Sequence, residues 1–196
     1  MNTIGIILAA GASTRMSQRK QLLTYKNKTL INTIASLAEK LPLAESVCVT
    51  GYLHKELQEA LKGHSISLIP NPNYQNGMLS SLQVAVRKII EDQSCDAILI
   101  MLSDQPLITE YHYSSLLNLA NKRNENIIAT AYRETFGVPV IYKRKHFEKI
   151  LELENQPTKT LIKNNLDDSL FLRCEEAAYD IDTDQDYQNL IAGKYE

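Results

Sequence analysis

The stretch "GIILAAGASTRMSQRKQLL", residues 5–23, decides how the rest of the chain is read. It begins as an unbroken apolar run and gives way to the small residues of "AAGAS". It then sets Arg15, Arg19 and Lys20 over a few positions before leucine returns. A continuous apolar run, rather than an alternating one, marks a parallel strand covered on both faces. In open α/β sheets, ligands sit outside the carboxyl ends of such strands. Small residues let the backbone approach a ligand and turn its amides toward an anion. Those amides, followed by Arg15 and Lys20, suit a polyphosphate. The plainer alternative is a strand-to-helix turn whose charges are solvated. On the phosphate-site reading Lys20, as a loop lysine, is expected to bury little, so that its loss leaves folding nearly unchanged.

Working outward, further apolar runs occupy 46–52, 65–69, 96–102 and 126–132, joining the first at 4–10. Between them lie helical stripes. Leu30, Ile31, Ile34, Leu37, Ala38 and Leu41 recur at three- and four-residue steps; so do Leu82, Val86, Ile89 and Ile90, and then Leu116, Leu117 and Ala120. Strands alternating with helices predict an α/β sheet with helices on both faces. The pattern shows no internal repeat, low-complexity tract or linker, so one domain over 1–196 is expected. The C-terminal third predicts a short strand at 138–142 followed by a helix, another strand within 170–182, and a closing helix N-capped by Thr183 with Gly193 just past its end. These later strands are expected to form an antiparallel edge on the parallel sheet.

Composition narrows the function. The chain has 196 residues, 44% hydrophobic and 22% charged, with a net charge of −2. That excludes a disordered chain and argues against a nucleic-acid binder, which shows a basic surface. No apolar run approaches the roughly 20 residues that span a bilayer, and the N-terminus lacks the basic region of a signal peptide. Cys48, Cys95 and Cys174 have no metal-ligand spacing and read as reduced thiols. A cytoplasmic location is expected. His54, His64, His112 and His146 fall in surface-like contexts without metal spacing.

Two acidic positions stand out. Asp104 follows "AILIML", so its carboxylate is expected at the carboxyl end of a central strand, where it suits a hard cation that also holds phosphates. It is also good turn chemistry before Pro106. "DIDTDQD" supplies Asp180, Asp182, Asp184 and Asp186. In an alternating strand Asp180 and Asp182 share a face and Ile181 takes the other. Asp184 and Asp186 suit a first helical turn. Ser80, after Gly77 and before Ser81, reads as the N-cap of its helix.

The loop is neither a dinucleotide G-x-G-x-x-G nor a P-loop. It resembles instead the signature of molybdenum cofactor guanylyl/cytidylyltransferase-like nucleotidyltransferases, close to L-A-A-G-x-S-x-R-M-G-x-x-K. Leu8, Ala9, Ala10, Gly11, Ser13, Arg15, Met16 and Lys20 match, and Ser17 replaces the usual glycine. "NPNYQNGMLSSL" (71–82), "LSDQP" (102–106), "FGVPVIY" (136–142) and "DIDTDQDY" (180–187) resemble four further segments of that family in order.

The resemblance implies a Rossmann-like three-layer sandwich of the nucleotide-diphospho-sugar transferase type. It implies a site in which Arg15, Lys20 and Asp104 are catalytic. Leu8, Ala9, Ala10, Gly11, Ser13, Arg15, Lys20, Gly77, Ser80 and Ser81 hold the nucleoside triphosphate, and Asp104 and Asp182 hold Mg²⁺. Ala10 in "LAAG", with "SDQP" and "GVPV", is similar to the cytidylyl branch, so CTP and a molybdopterin acceptor are favoured, with a molybdoenzyme or its chaperone as an expected protein partner. Where that branch carries G-D-x-G-A-R, this chain has "ENQPTKTLI" (154–162), with Asn155 and Lys159 near the places of the aspartate and arginine. A guanylyl or sugar-phosphate acceptor therefore stays open, as does a non-catalytic nucleotide-binding regulator or insertion chaperone. Retention of Lys20, Asp104 and Asp182 favours the enzyme.

Overall fold

A computed structural model describes residues 1–154 and 156–195. In chain order the elements are β1 (Thr3–Leu8), β2 (Thr24–Tyr25), β3 (Lys28–Thr29), α1 (Leu30–Ala38), β4 (Glu45–Thr50), α2 (His54–Ala60), β5 (Ser67–Pro70), α3 (Met78–Ile89) and β6 (Ala97–Leu102). Then follow α4 (Glu110–Lys122), β7 (Ile127–Tyr132), β8 (Thr135–Lys143), α5 (Phe147–Glu152), α6 (Lys159–Lys163), β9 (Ser169–Arg173) and α7 (Asp184–Ile191).

Among the described residues, a seven-stranded sheet runs β5-β4-β1-β6-β8-β7-β9, and β2 pairs with β3 in a small ribbon. The predicted α/β class holds. β1 lies between β4 and β6, parallel to both. Every residue of β1 and of β6 is buried, as their unbroken apolar character requires. Alternate side chains of the strands feed two cores on opposite faces of the sheet: Ile6, Val49 and Ile100 on the side of α3 and α5, and Ile7, Cys48 and Leu99 on the side of α1 and α4. That is the three-layer arrangement.

Two expectations are corrected. The antiparallel strand is not an edge: β8 pairs antiparallel with both β6 and β7 inside the sheet, and β9, the outer strand, pairs parallel with β7. A two-residue turn after β7 forces β8 to reverse, and the long excursion through α5 and α6 lets the chain return parallel. Nor are all the histidines superficial. His112 and His146 are buried. His112 Nε2 donates to Thr130 Oγ1 at 2.8 Å, since that hydroxyl itself donates to Pro139 O. His146 Nε2 meets Asp168 Oδ2 at 3.1 Å. Cys48 and Cys95 are buried free thiols as expected. Among the described residues no helix is long and apolar enough to cross a membrane.

Candidate functional site

The loop after β1 leaves the sheet between its two faces. Ala9 and Ala10 are buried against β4, with Ala9 N donating to Val49 O. Gly51 is pressed against this segment: a Cβ there would lie 2.6 Å from Ala10 O and 2.7 Å from the Tyr74 side chain. Beyond, Gly11 is exposed. No backbone hydrogen bond engages the amides of Gly11, Ala12 or Ser13 among the described residues. Ser13 carries φ 54°, the left-handed region uncommon for a residue with a Cβ.

A buried amide shapes this turn. Gln21 Nε2 donates to Ala9 O at 3.2 Å and Gly11 O at 2.8 Å, and its Oε1 accepts from Ser13 Oγ. Gln21 thus satisfies two loop carbonyls, while the loop amides of 11–13 stay without a backbone partner among the described residues. The 3-10 turn Lys20–Leu22 that carries it also aims Lys20 back across the loop.

Lys20 is the centre of the site. Its ammonium donates to Asp104 Oδ2 in a short ion pair and to Asp182 Oδ1 at 3.0 Å. The expectation that this loop lysine buries little is corrected, and with it the plainer reading of a solvated charge: its side chain is 14% exposed. Burial opposes its charge, but Asp104 and Asp182 outweigh burial and hold its pKa above the ordinary lysine value. Arg15, on the exposed side, donates from Nη2 to Asp182 Oδ2 at 2.7 Å. Against the desolvation of Asp182, Lys20 and then Arg15 pull its pKa below the usual carboxylate value. Arg19 turns away and pairs with Glu56.

The acidic segment is not a strand, contrary to expectation. Ile181 N donates to Asp104 O at 2.9 Å, one bond rather than a ladder. Ile181 is buried with Leu23, Leu30 and Leu190, and this anchors the turn. Asp180 and Asp182 do lie on the other side of the chain from it but go to different partners. Asp180 Oδ1 accepts from Gln105 Nε2 at 2.9 Å. Burial, and then the neighbouring Asp104 charge, push the Asp180 carboxyl up to about 6. Asp184 accepts from Ser17 N, and Asp186 closes a capping box with Thr183 at the start of α7, as the first-turn reading expected.

Ser80 is not the N-cap. The helix starts two residues earlier, with Gly77 as N-cap at φ +86°, so Ser80 lies inside the first turn and its Oγ donates to Asn73 O and Gly77 O. Asn71 Nδ2 donates to the hydroxyls of both Ser80 and Ser81.

Most of the predicted nucleotide-binding residues meet. Leu8, Ala10, Gly11, Lys20, Gly77 and Asp104, with Ala9 and Ser81, line one cavity of about 160 Å³. Arg15 and Asp182 sit at its Lys20 side, Ser13 is held at its loop by Gln21, and Ser80 faces a larger neighbouring cavity of about 720 Å³ that shares Gly77 and Met78 with the first. Asn155 lies outside the described residues. Sequence reasoning passed over Gln21, Asn71, Gln105 and Asp180 as site-shaping groups. Asn71 had a signal: it directly follows β5, at the same carboxyl edge that singled out Asp104.

Among the described residues no three acidic, histidine or cysteine side chains gather to hold a metal. Asp104 and Asp182 do converge, through Lys20, and Asp104 Oδ1 is buried with no hydrogen-bond partner. An unpartnered carboxylate oxygen beside a second carboxylate fits Mg²⁺, which takes one or two carboxylates and completes its shell with water and substrate phosphates.

The mostly parallel sheet, with this loop, lysine and two carboxylates gathered at one edge, has the nucleotide-diphospho-sugar transferase fold. The chain belongs to the MobA-like NTP transferase domain family, which matches residues 5–169. It is 28% identical over 186 residues to the molybdenum cofactor cytidylyltransferase of Escherichia coli (strain K12), covering 93% of this chain and 92% of that protein. A nucleotidyl transferase from Methanothermobacter thermautotroptrophicus superposes with a TM-score of 0.83 at 20% identity, covering 98% of this chain and 97% of that one. Rv0371c of Mycobacterium tuberculosis H37Rv, in complex with manganese, superposes at 0.75 with 22% identity, covering 98% and 99% of the two chains.

Proposed function

We propose that this protein transfers CMP from CTP to a phosphorylated acceptor, molybdopterin, releasing pyrophosphate. The observation that carries the proposal is the single ammonium of Lys20 shared by Asp104 and Asp182 beside the open amides of residues 11–13. A binder has no need to hold two carboxylates around one lysine at the phosphate end of its site. The triphosphate lies along the loop, with Arg15 and Lys20 against its outer phosphates. The acceptor phosphate attacks the α-phosphorus, the new P–O bond forms as the bond to the β-phosphate oxygen breaks, and pyrophosphate carries away the electron pair. The attacker is already anionic, so no general base is needed; the protein positions the groups and stabilises charge.

Asp104 and Asp182 would hold Mg²⁺, which when bound offsets the charge developing between the phosphates. The manganese complex of a protein sharing the fold supports a divalent ion. CTP preference is supported by Ala10, which is similar to the cytidylyl branch at that position. The cytidylyltransferase relative supports both nucleotide and acceptor. A second reading, a different phosphorylated acceptor such as a sugar phosphate, is favoured by the departure of "ENQPTKTLI" (154–162) from the family pattern.

The test is a pyrophosphate-release screen of CTP, GTP, ATP and UTP, each without acceptor, with molybdopterin and with a sugar phosphate. Release that needs both CTP and molybdopterin supports the proposal. Release only with a sugar phosphate replaces it with the second reading, release with molybdopterin and another nucleotide overturns the CTP assignment, and binding without release under every pairing makes the protein a regulator.

A further inference from the structure

The larger cavity has one wall on α3 and another on the segment 153–158 that leaves α5. Among its described residues, Leu153 packs against the core and Thr158 leads into α6, whose Leu161 and Ile162 are buried. Gln83, half-buried on α3 and itself part of the cavity lining, ties the start of this wall to α3. Its Nε2 donates to Ile150 O at 3.1 Å, Leu151 O at 3.3 Å and Leu153 O at 2.9 Å. The last carbonyls of a helix have no partner within it, and here two N–H groups of one amide serve the end of α5 and the residue that starts the wall. At the far end Thr158 Oγ1 lies 3.9 Å from Met78 Sδ, on the first turn of the same α3. The described residues at the two ends of this wall thus both meet α3, and Gln83 makes the contact at the α5 end.

Resting on the function proposed above, we propose that Gln83 is a positioning residue for the acceptor: it sets the distance of the 153–158 wall from α3, and so the affinity for acceptor but not for nucleotide. The cavity joins the nucleotide-side cavity at Gly77 and Met78, where an acceptor must lie to reach the α-phosphate. Its described lining offers Asn76, Ser80, Glu154, Gln156 and Thr158, groups that recognise a ligand through directional hydrogen bonds. Such contacts fail when a wall shifts by about 1 Å. Gln83 touches the nucleotide-binding loop nowhere among its hydrogen bonds, so the two affinities are separable.

The test compares the wild type with Gln83→Met, of similar length but without donors, and Gln83→Lys, which restores N–H donors to the carbonyls. Limited proteolysis within 153–158 is measured on the protein alone, and KM for CTP and for molybdopterin in the pyrophosphate assay. In Gln83→Met we expect cleavage there to speed up ~10-fold, KM for molybdopterin to rise about tenfold, and KM for CTP to stay within about twofold. Gln83→Lys should recover most of the loss. Unchanged cleavage in Gln83→Met overturns the proposal, and so does a parallel rise in both KM values, the mark of general loosening. If the wild type transfers nothing to molybdopterin, the proposed function fails, and the same comparison is made with the acceptor the screen identifies: a rise in KM for that acceptor alone supports the proposal, and no rise overturns it.

Discussion

Lys20 and Asp182 meet at 3.0 Å although 162 positions separate them in the chain, and Asp104, 84 positions from Lys20, meets the same ammonium. One cation therefore ties the loop after β1, the end of β6 and the turn before α7. Its removal is expected to be felt twice. Lys20→Met should lower kcat/KM by ~10²-fold or more, the usual loss of one charge-stabilising donor. It should also destabilise the fold by about 1–3 kcal/mol, because two partly buried carboxylates lose their counter-charge. Steady-state kinetics and thermal melts check the two effects; full turnover in the variant contradicts the role.

Asp104→Asn and Asp182→Asn should each remove most of the divalent-dependent turnover. The double variant should lose little more than either alone, because groups that act as a unit are not additive. Asp184→Asn, whose carboxylate serves Ser17 N instead, should be much milder. Losses that simply multiply in the double variant would show two independent roles. Mn²⁺ binding measured without substrate separates lost metal from lost chemistry.

Gly51→Ala should fail for a steric reason. The added methyl meets Ala10 O at 2.6 Å and the Tyr74 side chain at 2.7 Å, so the loop or the 3-10 turn at Tyr74–Asn76 must move. Overpacking of this kind costs about 1–3 kcal/mol, and melting should drop by several degrees. KM for nucleotide should rise as well, since Ala10 lines the cavity that also holds Lys20 and Asp104. A variant with wild-type melting and KM counts against the packing argument.

Two parts of the molecule differ in how far the sequence revealed them. The buried parallel strands were legible because burial on both faces writes itself as unbroken apolar runs, and α7 because Thr183 and Gly193 punctuate it. Asp104 was legible by its place after such a run. The hidden parts depend on tertiary partners. Whether 180–182 forms a ladder turns on Asp104 O, which no local pattern encodes. His112 and His146 look superficial by neighbours in sequence, yet Thr130 and Asp168 supply the partners that let them be buried. The internal place of β8 follows from strand pairing, not from composition.

His112 predicts a pH response. Burial lowers its pKa below 6.5, with Glu176 opposing less strongly. A base whose folded pKa is depressed binds fewer protons folded than unfolded below that value, so its contribution is complete above pH 6.5 and is lost as pH falls through the window beneath it. His112→Gln keeps an N–H donor for Thr130 and should flatten the stability profile just below pH 6.5. Chemical denaturation at a series of pH values decides it; an unaltered slope means the histidine does not contribute.

The reversal of β8 has a consequence for variation. Because β8 runs against β6, it brings its beginning, not its end, to the carboxyl edge of the sheet, and the two residues Arg133 and Glu134 that join β7 to β8 stand at that rim. Arg133 N donates to Glu175 Oε2 at 3.0 Å, and its guanidinium lies over the Tyr179 ring, so the rim touches the segment leading to Asp180. Chain inserted at this turn would grow as a canopy over the acidic side of the site while β4, β1 and β6 kept their register. The same sheet thus carries Asp104 just past the end of a fixed parallel strand and leaves one short hairpin free to diversify.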